Sequence, residues 1–156
     1  MDVLLTYEPV IRLAAFGGVL AAVALLEALF PRRKRAVSRW IRWPSNLGIT
    51  ALNTALVRVL FPTAAVGVAL ALEGRGVGLM PWLGLPEFVA VLATVLLLDL
   101  AIYLQHVMFH AVPALWRLHR MHHADLDIDV TTGARFHPLE IAISMLIKVA
   151  VIVALG

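Results

Sequence analysis

The 156-residue chain has no cysteine, so disulfides, iron–sulfur clusters and thiolate zinc sites are excluded within it. Charge is scarce as well: Asp, Glu, Lys and Arg make up 15% of the residues, against about 25% in an ordinary soluble domain. Lysine is confined to Lys34 and Lys148, and the preponderance of arginine suggests a GC-rich bacterial gene. Histidine is missing from the first 105 residues, which argues against a haem bundle with axial ligands on facing helices. Neither the Glu-x-x-His pairs of carboxylate-bridged di-iron bundles nor a His-Glu-x-x-His zinc protease motif occurs. No repeat or low-complexity tract is present.

What fills the chain instead is hydrocarbon. Hydrophobic residues make up 62%, where a soluble domain has about 45–50%, and the mean hydropathy is +0.91. The expected fold class is an all-α, polytopic membrane helix bundle in a single domain of residues 1–156, with about four spans near 10–30, 47–72, 87–110 and 139–155. Asp2 and Glu8 precede the first span, and Arg32, Arg33, Lys34, Arg35, Arg39 and Arg42 follow it. That order is wrong for a cleaved signal peptide, and the excess of positive charge places the 31–46 loop in the cytoplasm and the amino terminus outside. The expected location is a bacterial inner membrane. With net charge +3 and no RNA- or DNA-binding motif, the basic run is read as facing lipid headgroups, with no nucleic-acid partner.

Local signals punctuate the spans. Pro44, Ser45 and Asn46 suggest the start of the second helix, with Ser45 or Asn46 as its N-cap, and Trp40 and Trp43 before it suggest interfacial anchors. Asn46, Thr50 and Asn53 share one face, expected to look into the bundle; Pro62 predicts a kink, and Arg58 near mid-membrane needs a partner. Residues 73–86 hold four of the ten glycines and read as an outer loop. Pro86 and Glu87 suit the first turn of the third helix. Pro113 should end that helix and begin a short interfacial one, and Pro138 should open the last. Asp125, Asp127 and Asp129 lack the glycine and the closing acid of a calcium loop, and are expected in a solvated turn that pairs with arginines.

All six histidines fall between Asp99 and Glu140. His106 and His110 are four apart, so on a helix both imidazoles leave one face, roughly 6 Å apart at Cβ. Asp99, Tyr103, His106 and His110 lie at about 0°, 40°, −20° and 20° around that helix, a narrow polar stripe on an apolar cylinder. His122 and His123 lie about 60° to one side and 40° to the other of His119. Burying several imidazoles at a membrane boundary is costly unless each has a partner, and a shared cation supplies one to all. The third span, counted from Glu87, reaches the cytoplasmic interface near His106. Imidazole alone does not choose between zinc, iron, copper and nickel. A zinc-dependent lipid hydrolase, with Asp99 or Glu140 as base on bound water, is therefore one reading; a non-enzymatic haem protein is another.

The run Asp99-x-x-x-Tyr103-x-x-His106-x-x-x-His110, then Leu115-Trp116-x-x-His119-x-x-His122-His123, then Arg135-Phe136-His137-Pro138-x-Glu140, resembles the fatty acid hydroxylase superfamily, in its sterol desaturase-like branch. RWPSNLG at 42–48 is similar to the start of the second membrane helix in bacterial members. The resemblance implies a histidine-rich cytoplasmic cap that holds two non-haem irons and uses O2 to hydroxylate or desaturate a lipid C–H bond. Electrons would come from NAD(P)H through a separate donor protein. On this resemblance His106, His110, His119, His122 and His123 are metal ligands, His137 is a further ligand or a support, and Asp99 and Tyr103 orient the first pair. Val107 stands where family members often carry arginine. The family's third histidine region would lie downstream of Gly156, and five or six imidazoles are too few for two irons. The chain is thus expected to be the amino-terminal part of such an enzyme, or a truncated relative.

Overall fold

A computed structural model describes residues 2–32 and 34–156, the side chains of residues 2–5 and 64 excepted. Arg33 and the side chain of Asp2, both used in the charge argument above, lie outside the described residues. Among the described residues seven α-helices follow in order: α1 Asp2–Leu29, α2 Arg39–Leu60, α3 Ala64–Leu72, α4 Leu79–Leu83, α5 Glu87–Ala111, α6 Pro113–His123 and α7 Pro138–Leu155, with a 3-10 turn at Thr132–Ala134. No strand occurs among the described residues. Among the described residues four stretches are long and apolar enough to cross a membrane: Thr6–Leu29, Arg39–Leu72, Glu87–Ala111 and Pro138–Leu155.

Burial is inverted relative to a soluble protein. Among the described residues the buried hydrophobics are Met80, Phe109 and Leu155, while eleven polar or charged side chains are buried. In a bilayer the apolar surface of a helix can face lipid, so what must be enclosed is the polar minority.

Prolines and caps set most helix ends. Ser38, not Ser45 or Asn46, starts α2: its Oγ accepts from the Trp40 amide at 3.3 Å, and its carbonyl accepts from the Ile41 and Arg42 amides. Pro44 lies inside the helix, in its second turn, and supplies no amide proton to the hydrogen-bond ladder there. At Pro62 the expected kink is a break, with α2 ending at Leu60 and α3 starting at Ala64. Arg58 is exposed in the last turn of α2, where the unsatisfied carbonyls at a helix C-terminus favour a cation. The glycine-rich loop 73–86 includes the one-turn helix α4. In it Gly78, at φ 107°, lies so close to Gly156 that a Cβ would stand 2.4 Å from the Gly156 nitrogen.

The chain divides into two compact units, Met1–Leu47 with Asp125–Arg135, and Gly48–Ala124 with Phe136–Gly156. In the first, Arg42 is buried and ion-pairs with Asp125 (Nε to Oδ1, 2.7 Å) and Asp129 (Nη2 to Oδ2, 2.8 Å). The Trp43 indole N–H donates to Asp129 at 3.0 Å, so Trp43 is held by the turn, whereas Trp40 is exposed. Asn46 donates to Asp125 and Thr131, and Thr132 donates to Asp125 at 2.6 Å. The aspartate turn therefore pairs with an arginine, as expected, but it is buried and not solvated. Enough donors converge on each carboxylate to offset the cost of removing it from water. Burial would raise the Asp125 pKa, but hydrogen bonds from Thr132, Arg42 and Asn46 outweigh it and hold the group at about 2. Asp129 is lowered in the same way, burial being outweighed by Thr131, Trp43 and Arg42. Glu27 ties α1 to this network, accepting from Arg39 and from the Val130 amide, both at 2.9 Å.

In the second unit α7 packs against α3 and α5, and α6 folds back on α5. Polar pairs join these helices. Gln105 donates to Ser144 at 2.6 Å, linking α5 to α7, and Asn53 of α2 donates to the carbonyl of Phe136 at 2.9 Å.

Candidate metal centre

The site is built on the turn between α5 and α6. Val112 is extended (φ −93°, ψ 117°), as the residue before a proline prefers to be, and Pro113 then occupies the first turn of α6, where a missing amide proton costs nothing. This reversal carries α6 back over the end of α5 and brings His119 onto the face that bears His106 and His110. One helical turn separates that pair, and their Nε2 atoms are 3.2 Å apart. Ring centroids of His119 lie 4.7 Å from both His106 and His110.

The cluster extends one turn along α6. His123 is 4.9 Å from His110 and 5.0 Å from His119, and His122 is 5.1 Å from His123, all between ring centroids. Phe136 stacks on His122 at 4.6 Å with the rings nearly parallel, and Trp116 lies between 5.3 and 5.5 Å from His110 and His123. Aromatic surfaces thus wall the imidazoles on two sides.

His119 is the fixed point of the group. None of it is exposed, and its Nδ1 lies 2.7 Å from Oε1 of Glu140, itself buried in the first turn of α7. A carboxylate only accepts, so Nδ1 carries the proton and the lone pair sits on Nε2. That Nε2 is buried and has no hydrogen-bond partner. Burial, reinforced by His106 and His110, lowers the His119 pKa to about 4, so the ring is neutral at physiological pH. His123 is lowered too, by burial and then by its histidine neighbours.

These residues fit a metal ion. His106, His110 and His119 each offer a nitrogen within 4.8 Å of the other two. Two nitrogens bound cis to one ion at about 2.0–2.1 Å stand roughly 3.0–3.4 Å apart, which matches the 3.2 Å between His106 and His110. An orphaned, neutral, buried Nε2 on a ring beside such a pair is otherwise a standing cost of about 1–3 kcal/mol, which a cation removes.

Five of the six histidines are therefore gathered together. His137 does something else in this structure: its Nδ1 accepts from the Leu139 amide at 3.1 Å and caps α7, the helix that presents Glu140. Asp99 and Tyr103 lie on α5 with the first pair, but both are exposed and neither hydrogen-bonds to a ring nitrogen. The carboxylate that orients an imidazole is Glu140, acting on His119. In the sequence Glu140 stands only as a possible base and as the end of His-Pro-x-Glu. Its placement after a proline in a first helical turn was visible, but its partner 21 residues upstream was not.

Fold and site together define an all-α membrane protein with a histidine cluster suited to a metal. Residues 91–156, which hold every histidine, match the family model described as fatty acid hydroxylase, consistent with the fatty acid hydroxylase superfamily. No curated protein and no solved structure matches the chain. The family match supports a membrane hydroxylase- or desaturase-type function and hence an oxidoreductase.

Proposed function

We propose that the chain supplies part of the catalytic centre of a membrane-bound non-haem di-iron oxygenase that hydroxylates or desaturates C–H bonds of a lipid. The observation that carries this reading is the convergence of His106, His110 and His119 on one point, with the His119 Nε2 left unpartnered, inside the segment that matches the family. His106, His110 and His119 would hold one iron, and His122 and His123 extend the donor set. Bound iron would supply the activation of O2 that C–H oxidation needs. Glu140 keeps His119 in the tautomer that ligates, Phe136 stacks on His122, and Trp116 packs beside His110 and His123. Electrons would reach the site from a separate donor protein fed by NAD(P)H. In this reading the amino terminus is outside and the histidines face the cytoplasm, where the donor is found.

A zinc hydrolase reading is less well served. Its base would be Asp99 or Glu140, but Asp99 is exposed with no ring nitrogen beside it and Glu140 is engaged with His119. Metal analysis and O2 uptake test the choice. Protein purified from membranes should carry iron, and lipid-dependent O2 consumption should follow when a reducing system is supplied. Zinc in place of iron, with O2 left untouched, would overturn the proposal.

A further inference from the structure

The turn at 125–129 has a second side. Asp125, Asp127 and Asp129 are buried, and Asp127 accepts from the Val37 amide at 2.7 Å, so the alternate residues Leu126 and Ile128 are thrown outward, 73% and 74% exposed. Two large aliphatic side chains held out by a polar turn need an apolar medium on that side. They do not stand alone. A cleft runs from Leu26, Phe30 and Ile128 to Arg32 and Arg35. It lies where the candidate span Thr6–Leu29 ends and before the one beginning at Arg39, the depth at which hydrocarbon gives way to headgroups.

Its charge is unbalanced in one direction. Of the acids lining it, Glu27 is paired with Arg39 and Asp129 with Arg42, while Asp127 is turned to the Val37 amide. Arg35 donates to the carbonyl of Glu27, not to a carboxylate, and Arg32 has no carboxylate partner among the described residues. Guanidinium groups with acids otherwise occupied, beside an apolar wall, suit an amphiphile with an anionic head.

We propose that this cleft is a binding site for an anionic phospholipid. Arg32 and Arg35 take the phosphodiester, and an acyl chain lies along Phe30, Leu26 and Ile128. The buried aspartates act from behind: by holding the turn against Arg42 and Val37 they keep Ile128 facing lipid. A neutral zwitterionic head brings its own cation and gains less from the two arginines, and a free phosphate leaves the apolar wall uncovered.

The test uses the whole chain purified in a neutral detergent. Dioctanoyl-phosphatidylglycerol, dioctanoyl-phosphatidylcholine and inorganic phosphate are added separately, with adducts read by native mass spectrometry and melting followed in parallel. Phosphatidylglycerol should be retained at least tenfold better than phosphatidylcholine and should raise the melting temperature, with phosphate alone doing neither. R32Q/R35Q should bring phosphatidylglycerol down to the phosphatidylcholine level, and I128S, at an exposed position that leaves the fold intact, should weaken both lipids. Equal retention of the two lipids, protection by phosphate alone, or unchanged phosphatidylglycerol binding in both variants would each overturn the proposal.

Discussion

The His119 imidazole and the Glu140 carboxylate meet at 2.7 Å, both buried, one from α6 and the other from the first turn of α7. Through this contact the last helix controls which nitrogen of His119 faces His106 and His110. E140Q keeps the size of the side chain but removes its charge and halves its capacity to accept. Acceptors of this kind typically contribute 10- to 100-fold to metal affinity, so a loss of about that size is expected with little change in helix content. Competition against a chelator, with circular dichroism alongside, measures both.

Removal of His119 and removal of His137 should part company. H119A deletes the only wholly buried imidazole and should leave purified protein without bound metal. H137A deletes a cap on α7 and should cost about 0.5–2 kcal/mol of stability while metal content is retained. Metal analysis beside thermal melting separates the two; equal metal loss in both variants would make His137 a ligand.

Arg42 holds two carboxylates that otherwise lie buried without a counter-charge. R42A should destabilise the first unit by about 3–5 kcal/mol, because the penalty falls on Asp125 and Asp129 and not only on the lost pair. A surface change such as R75A should leave melting in detergent unaltered.

Acid should undo the same network. The Asp125 pKa is about 2 in the fold against 3.8 ordinarily, and Asp129 is lowered as well. Between those values the unfolded chain takes up protons that the folded one refuses. The stabilisation is thus complete above about pH 4 and declines as pH falls toward 2, by on the order of 2 kcal/mol for Asp125. Urea titrations of metal-free protein at stepped pH should show this slope, and D125N should flatten it.

What the amino-acid sequence determined by itself is what depends on near neighbours along the chain. Four apolar runs of bilayer length, the i, i+4 pair His106 and His110, the reversal at Pro113 and the helix start at Pro138 all follow from pitch, length and proline chemistry, and each has its counterpart in the structure. The family pattern was legible for the same reason, being a set of fixed spacings. Tertiary structure decided which groups meet. Asp99 and Tyr103 share a helix with the first pair but stay exposed, while Glu140 reaches His119 from another helix. The burial of Asp125 rests on Arg42, 83 residues away in the chain. Periodicity specifies which face of an element is polar, but it carries no information on which other polar face will close over it. In a chain whose apolar surface is left to lipid, that choice rests on a few charge-assisted hydrogen bonds between distant residues.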